Sequence, residues 1–498
     1  MLTALRKAMA LSGEKEGRSF GMTDIPEGDE PTYDMVCAAD TVGVFQIESR
    51  AQMSMLPRLK PRCYYDLVIE VALVRPGPIQ GGAVHPYLDR RRGLVPVTYP
   101  GPRDGQDLRQ ALGRTLGVPI FQEQCMQIAV LAAGFTPGEA DDLRRAMAAW
   151  KRHGNVQKYE TKLVKGMTDR GYDPAFAQSV YEQIKGFSSY GFPESHAASF
   201  ALLVYVSAWI KRHHPAEFLV ALLNSQPMGF YTPSQLVQDA QRHGVVVRPV
   251  DVAHSEPATR IEADGAVRLG LHLVSGLGAD AAQRLLQARQ RQAFTGAQDL
   301  ARRAALDQAH MKALAAADAL ASLSGHRRQQ VWDAAALRSA PVLLKAAPVE
   351  EAPLVLPEAP EGEAVVWDYA SLGLTLRRHP LALLRPELAR RKLMTAEALK
   401  SAPNGRLVRH CGIVTLRQQP GTASGVVFVS LEDETGVVQV IVWRRIRERQ
   451  RAVLAGSRLL AVRGVWQRDG EATSLIAGHL EDLTPLLNGL STVSRDFH

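Results

Sequence analysis

The stretch DDLRRAMAAWKRHG, residues 141–154, has the composition and spacing of an amphipathic helix. At roughly 100° per residue, Leu143, Met147 and Trp150 fall on one face, which we expect to be buried. Positions seven residues apart nearly overlay, so the cations of this helix form one stripe beside the apolar face instead of a ring. The cations of the stripe are Arg144, Arg145, Lys151 and Arg152.

A stripe of this kind can hold several phosphate oxygens at once, because each guanidinium offers paired donors. The alternative is a solvated helix face whose arginines pair with Asp141 and Asp142. The spacing alone does not decide between an anion site and an acid-paired surface.

Around this helix, the pattern of residues 1–225 is dense in helices broken by Pro and Gly, and it is poor in strands. Downstream, the residue composition and the hydrophobic period change several times, which predicts a multidomain α+β chain. The expected segments are a helical domain at 226–340, a Pro/Ala/Glu-rich linker at 341–364, a short helical connector at 365–405, a β-barrel at 406–485 and a tail at 486–498.

The barrel prediction comes from alternating apolar and polar residues. VVFVSLEDETGVVQVIVW (426–443) predicts two strands joined at Glu434-Thr435-Gly436, and LLAVRGVWQRDGEATSLIAG (459–478) predicts two more. With CGIVTLR (411–417) ahead of them, the total is about five short antiparallel strands, the number in an OB-fold barrel.

Bulk composition narrows the class of partner. Of the 498 residues, 46% are hydrophobic, and the formal net charge of +8 favours a polyanion, nucleic acid first and an anionic membrane second. The 4 cysteines are scattered without a metal-binding spacing, which fits a reducing cytoplasm. The longest apolar run, residues 197–210, is shorter than the ~20 residues of a membrane span, and the N-terminus has no secretory pattern.

A second candidate site follows the turn in YGFPESH, residues 190–196. Ser195 is predicted to cap the helix that follows, and His196 would lie in its first turn, where free amides favour an anion. A capped helix with a structural histidine is the alternative.

The order of several short motifs is more specific than any one of them. They are VFQIESR (44–50), LVRPGP (73–78), FQEQ (121–124), LRRAM (143–147) and YGFPESHAASFA (190–201). In this order they resemble the C-family bacterial DNA polymerases, the group that contains the α subunit of DNA polymerase III. The resemblance covers residues 1–225 as the fingers domain.

The resemblance implies roles for the cations of the LRRAM helix. Arg144 and Arg145 would bind the β- and γ-phosphates of an incoming deoxynucleoside triphosphate. Lys151 would add positive potential near the triphosphate, and Arg152 near the template DNA. Ser195 and His196 match the family's Ser-His motif at the edge of the nucleotide pocket.

Within the family, three features resemble the error-prone polymerases of SOS mutagenesis and translesion synthesis. Replicative members tend to have FNKSH where this chain has FPESH (192–196), and the chain ends soon after the predicted barrel. The third feature is the segment SLGLTLRRHPLALLRPEL (371–388). QVWDAA (330–335) is a poor match to a clamp-binding peptide. The resemblance therefore implies that the sliding clamp is reached through accessory proteins of the SOS mutasome.

Two further segments are predicted to bind DNA. LVSGLG (273–278) fits a helix-hairpin-helix whose Ser275, Gly276 and Gly278 would bring backbone amides to a phosphate, although a helix C-cap explains it as well. At the barrel, Trp443 beside an arginine-rich run suits single-stranded template, whereas aromatic residues on a barrel are more often core. The arginines chosen from that run are Arg444, Arg445 and Arg447.

Polymerisation requires two divalent cations, expected to be Mg²⁺, held by carboxylates. In the family these carboxylates belong to a palm domain, and no matching motif occurs in this sequence. We therefore expect a partial chain that binds DNA and nucleotide without extending a primer unaided. A non-catalytic DNA-binding protein built from polymerase modules is the alternative, and an aminoacyl-tRNA synthetase barrel is a remote third.

Overall fold

The computed structural model describes residues 1–74, 84–153, 157–186, 193–229, 231–337, 354–419, 425–469, 472–490 and 495–497. The chain divides into two compact units. The first, called the helical unit below, consists mainly of Phe20–His213. The second, called the hairpin–barrel unit, contains Met1–Ser19 and takes up the chain again from His214. The described residues are mostly helical with a closed barrel near the C-terminal end, which confirms the predicted fold class.

The helices are numbered in chain order. Those of the N-terminal part are α1 (Leu2–Glu16), α2 (Glu30–Cys37), α3 (Arg50–Leu59), α4 (Tyr64–Leu73), α5 (Val84–Arg91), α6 (Gln106–Leu112), α7 (Gln122–Leu131), α8 (Pro137–His153), α9 (Gln157–Asp169), α10 (Pro174–Gly186), α11 (Glu194–His213) and α12 (Pro215–Leu223). Those that follow are α13 (Pro233–Arg242), α14 (Ala279–Arg291), α15 (Ala297–Arg303), α16 (Gln308–Ala316), α17 (Ala321–Ser324), α18 (Arg327–Ala336), α19 (Glu361–Leu372), α20 (Pro380–Arg390), α21 (Ala396–Lys400), α22 (Arg444–Arg449) and α23 (Arg451–Gly456).

The helical unit is built around α11, which packs against α4 and α2. Its buried positions include Ala197, Ala201, Val204 and Ala208, a spacing of four, three and four that places them on one face. The small alanines let the almost wholly buried α4 approach closely. A second core joins α6 to α10, and Leu143 enters it from α8 with 1% exposure, as its predicted apolar face requires.

In the hairpin–barrel unit, α1 packs on α12, and Lys15 Nζ lies 2.9 Å from the buried carboxylate of Glu217. A small three-stranded sheet follows, which the sequence had not indicated. Its strands are β1 (Val247–Arg248), β2 (Arg260–Ile261) and β3 (Val267–Arg268), with β3 in the centre, parallel to β1 and antiparallel to β2.

The barrel closes through five strands in the order β5–β6–β8–β7–β4, with β4 returning to β5. They are β4 (Leu407–Gln418), β5 (Val427–Asp433), β6 (Gly436–Val442), β7 (Leu459–Asp469) and β8 (Ala472–Asp482). The sequence predicted antiparallel strands, yet β6 and β8 pair parallel. An odd number of strands cannot alternate in direction around a closed ring, so one parallel pair is unavoidable. A short ninth strand, β9 (Arg495–Phe497), adds to β4 from the predicted tail.

The connector between hairpin region and barrel is tied to both. Buried Arg327 of α18 pairs with buried Asp368 of α19, and Arg385 of α20 pairs with Glu434 at the β5–β6 turn. The turn is closed by Asp433, whose Oδ1 accepts the amide of Gly436 at 3.0 Å.

Three local predictions differ from the structure. α19 begins at Glu361, inside the segment predicted as linker, of which residues 341–353 lie outside the described ranges. The alternating pattern predicts a strand that includes Trp443, but Trp443 follows β6 and is the N-cap of α22. Ser195 was predicted as a helix cap, but α11 already begins at Glu194, so Ser195 is a first-turn residue.

Candidate nucleotide and nucleic-acid sites

Arg144 and Arg145 lie on α8 with side chains that are 41% and 69% exposed. Both reach the carboxylate of Asp141, one turn earlier: Arg144 Nη2 is 2.8 Å from Oδ1 and Arg145 Nη2 is 2.6 Å from Oδ2. The hydrogen bond from Arg144 lowers the pKa of Asp141 below its usual value. The two guanidinium groups are thereby held side by side at the surface.

The acid pairing anticipated as the alternative is therefore present, together with the exposed cation pair. Intrahelical pairs of this spacing add little to helix stability, because water screens the exposed charges. A triphosphate carries more charge than one carboxylate and can replace Asp141 as the acceptor.

The other two cations of the stripe, Lys151 and Arg152, lie on the last turn of α8. Their side chains are outside what the structure describes, so the stripe is established only for its first half. Among the resemblance motifs, residues 75–78 of LVRPGP and residues 190–192 before the Ser-His pair also lie outside the described ranges.

Ser195 and His196 are both exposed in the first turn of α11, where helix amides lack intrahelical partners. The His196 ring lies against Phe200, with 4.2 Å between ring centroids, and Phe200 meets Phe45 edge to face at 5.2 Å. Phe45 belongs to the VFQIESR motif, so the structure brings two of the distant motifs into contact.

Glu194, which sequence analysis did not single out, bonds to three other segments of the helical unit. Its carboxylate Oε1 accepts from the Tyr65 hydroxyl at 2.8 Å and from Arg114 Nη1 at 3.0 Å. Its amide donates to Oε2 of Glu123 at 3.0 Å, and Glu123 belongs to the FQEQ motif. Arg114 also stacks over the Tyr65 ring at 3.9 Å. No local signal reveals these contacts, since the partners lie 129, 80 and 71 residues away.

α7 connects the two parts of the candidate nucleotide site. It packs against α8, which carries the arginine pair, and through Glu123 it holds the start of α11. The helical unit thus unites three motifs, FQEQ, LRRAM and Ser-His, in one set of packed helices.

The hairpin of the second unit has the backbone its glycines predicted. Gly276 has φ of +86°, a left-handed conformation that favours glycine, and Gly278 caps α14. Val274 and Leu277 anchor the turn in the core, while Ser275, Gly276 and Gly278 are exposed.

The amides of the hairpin are not equivalent. The Ser275 amide donates to the carbonyl of Ser371 on α19 at 2.8 Å and is therefore engaged within the chain. Among the described residues, no acceptor is found for the amides of Gly276 and Gly278. These two remain available for a phosphate oxygen.

On the barrel, Trp443 is 54% exposed at the start of α22, and the arginine run continues along that helix. Arg444 pairs with Glu448 at 2.8 Å, whereas Arg445 and Arg447 have no acidic partner among the described residues. Trp466, by contrast, is 2% exposed within the barrel core. The core interpretation thus holds for Trp466 but not for Trp443.

Four of the carboxylates near these sites are engaged by donors of the chain itself. Asp141 is engaged by both arginines, and Glu434 by Arg385. Glu432 is buried near His379, with 3.6 Å between Oε1 and Nε2, and Asp433 closes its own turn. Each is occupied by cationic or amide donors, so no step of metal chemistry is assigned to them.

The QVWDAA segment is folded into α18, and Gln330 is fully buried. Its side-chain amide donates to Asp318 at 2.6 Å and to the carbonyl of Gly325 at 2.7 Å. A clamp-binding peptide must expose its glutamine, so this segment is not one. Among the described helices, none has the length and hydropathy required to cross a bilayer.

Comparison with known proteins agrees with this architecture. The family model of the bacterial DNA polymerase III alpha subunit finger domain matches residues 1–171, a helix-hairpin-helix motif model matches 244–330, and an OB-fold nucleic acid binding domain model matches 408–483. The matches locate fingers, hairpin and barrel in the order that the sequence predicted.

Curated relatives match the whole chain. Proteins named error-prone DNA polymerase from Burkholderia pseudomallei and Bordetella bronchiseptica are each 58% identical to it, and one from Alkalilimnicola ehrlichii is 56% identical. All of this chain is covered in each case, against 48%, 48% and 49% of the respective relatives. The chain thus spans about half the length of the relatives it matches. By sequence and domain content, the chain thus has the finger, helix-hairpin-helix and OB-fold domains of C-family bacterial DNA polymerases and is similar over its whole length to proteins named error-prone DNA polymerase.

Proposed function

We propose that this chain binds incoming deoxynucleoside triphosphates and primer–template DNA for an error-prone DNA-directed DNA polymerase that acts in translesion synthesis and damage-induced mutagenesis. The observation that carries the proposal is the exposed pair Arg144 and Arg145, held side by side on a helix of the region that matches the polymerase fingers. Two neighbouring guanidinium groups suit adjacent phosphates of a triphosphate.

In this proposal, Arg144 and Arg145 bind the β- and γ-phosphates after displacing Asp141. Lys151 adds positive potential, and Ser195 with His196 borders the pocket at the start of α11. The DNA contacts are divided between units. Template phosphates meet Arg152, Gly276, Gly278 and, after release of its amide, Ser275, while single-stranded template follows Trp443, Arg444, Arg445 and Arg447.

The corresponding domain division is fingers at 1–225, hairpin domain at 226–340, linker and connector up to 405, and OB-fold at 406–485. The complete polymerase would need Mg²⁺. The ion would be held by the nucleotide and by catalytic carboxylates in the part of the polymerase that this chain does not span. Accessory SOS proteins would link the polymerase to the sliding clamp in the cytoplasm.

The test is binding of a deoxynucleoside triphosphate with Mg²⁺ to the purified chain by calorimetry. Arg144→Ala and Arg145→Ala should each lower affinity about tenfold, since each loses a charge-assisted hydrogen bond. Arg302→Ala is the matched control. Arg302 lies on α15, its side chain is 57% exposed, and it pairs with Asp299 three positions earlier on the same helix. Equal affinity of wild type and both arginine variants would refute the nucleotide role.

The second candidate is a non-catalytic DNA-binding protein, which the hairpin and barrel matches favour. Primer extension with Mg²⁺ and DNA binding, measured on the same preparation, separate the two. DNA binding without any nucleotide affinity would support the second candidate. Robust extension by the chain alone would show that its carboxylates do form a catalytic centre.

A further inference from the structure

We infer that Glu194 is a positioning residue that fixes the first turn of α11, and with it Ser195 and His196, for nucleotide binding. The inference rests on the proposed nucleotide site and adds a residue to it. Three segments converge on Glu194, namely Tyr65 of α4, Arg114 after α6 and Glu123 of α7.

Hydrogen bonds hold both the side chain and the backbone amide of Glu194. The side chain is held by two donors, at 2.8 Å and 3.0 Å, and the amide by an acceptor at 3.0 Å. The first turn of a helix is its weakest part, because its amides have no intrahelical acceptors. Anchoring the first residue from three sides therefore fixes the direction in which the next two side chains project.

A further contact extends the anchor into the second turn. The hydroxyl of Tyr64 donates to the carbonyl of Ala198 at 2.5 Å. The adjacent tyrosines of α4 thus hold successive turns of α11. Ser195 and His196 stay exposed between these anchor points, although their neighbours on both sides are fixed.

Charge explains the choice of an acid at this position. Glu194 sits at the N-terminal end of α11, where the helix dipole favours a carboxylate. Arg114, 69% exposed on its side chain, offsets that negative charge and stacks on Tyr65. Within this pair the charge of Glu194 itself is compensated, so Glu194 adds little repulsion toward a triphosphate.

The test is a charge exchange in the full chain. Glu194→Lys and Arg114→Glu each break the pair, and the double variant restores it with reversed signs. Single variants should weaken triphosphate affinity about fivefold, and the double variant should return to within about twofold of wild type. The control exchange is Glu182→Lys with Lys185→Glu, an exposed pair on α10.

A second readout reports position without nucleotide. The His196 ring resonance, observed with ¹³C-labelled histidine and assigned through His196→Gln, should shift in the single variants and return in the double variant. Tyr65→Phe, a milder change, should shift it in the same direction if the charge variants fail to fold. This readout remains decisive even if Arg144→Ala shows no effect and the nucleotide proposal fails.

An unchanged His196 resonance in the single variants would overturn the inference. A shifted resonance with unchanged triphosphate affinity would also overturn it, because the turn would then move without consequence for binding. A lower melting temperature in the single variants that the double variant does not restore would show that Glu194 has only a structural role, which would also overturn the inference.

Discussion

Arg145 Nη2 lies 2.6 Å from Oδ2 of Asp141, so the more exposed arginine of the candidate phosphate site is paired with a carboxylate of its own helix. The same carboxylate holds Arg144 through its other oxygen. Asp141 therefore aligns the two cations and also competes with any phosphate that would bind them.

Asp141→Asn is expected to raise triphosphate affinity about two- to fivefold, since one negative charge leaves the site while the cations remain. Calorimetry at low salt measures the change, which should shrink as salt is added. Asp142→Asn is the matched control, because the Asp142 side chain is 62% exposed and its carboxylate comes no nearer to Arg145 than 3.9 Å. Weaker binding in the Asp141 variant would mean that alignment outweighs competition.

Arg327→Met should destabilise the hairpin–barrel unit by about 3 kcal/mol, because buried Asp368 loses its buried partner and keeps only the more exposed Arg377, 3.5 Å away. Urea unfolding followed by tryptophan fluorescence provides the measurement. In contrast, Arg328→Met should cost less than about 0.5 kcal/mol, since Arg328 and Glu363 are 38% and 42% exposed. Similar losses in both variants would contradict the importance of burial.

Glu432 makes the stability of the hairpin–barrel unit sensitive to low pH. Burial by itself raises its pKa, but the nearby His379 and the Gln235 amide outweigh burial, and the net pKa lies below the usual value. A carboxyl group whose pKa is lower in the folded state stabilises the fold at pH values above its unfolded-state pKa. This stabilisation is lost as the pH falls toward and through the folded-state pKa. Unfolding free energy should therefore drop below about pH 5 in wild type. In Glu432→Gln this part of the decrease should be absent; an unchanged pH profile would contradict the assignment.

Glu70 of α4 is fully buried, and neither carboxylate oxygen has a partner among the described residues. Burial raises its pKa well above 4.5. The folded state then retains a proton that the unfolded state releases, so this group costs stability as the pH rises above the ordinary carboxyl range.

Glu70→Leu should accordingly raise the melting temperature, and by more at pH 8 than at pH 5. Glu70→Gln, which removes the charge but keeps an amide, is the control and should gain less. A Leu variant that is less stable at both pH values would reveal a stabilising partner for the carboxylate.

Trp443 and two arginines of α22, Arg445 and Arg447, are expected to bind single-stranded DNA by different means. Trp443→Ala should lower affinity about tenfold with little change in the salt dependence, because stacking is not ionic. Arg445→Ala and Arg447→Ala should each reduce the slope of log affinity against log salt by about one. Trp332→Ala, 50% exposed on α18, is the control in fluorescence anisotropy titrations. A Trp443 variant with wild-type affinity would exclude stacking.

Local patterns determined the classes of structure in this chain. The 3.6-residue period marked α8 and the buried position of Leu143, alternation marked the strands of the barrel, and glycine marked the left-handed turn at Gly276. The order of the short motifs identified the family, which the comparisons confirmed. The roles of the individual site residues stay predictions until the variants are measured.

The sequence by itself therefore determined the mostly helical class, the barrel and the resemblance to the polymerase family, because periodicity, turn chemistry and motif order can be read from neighbouring residues. Only the tertiary structure decided that Glu194 joins three distant segments, that Ser275 has its amide engaged by Ser371, and that Trp443 is exposed while Trp466 is core. These facts depend on which groups meet after the chain has folded, and contacts between residues far apart leave no mark on the local sequence.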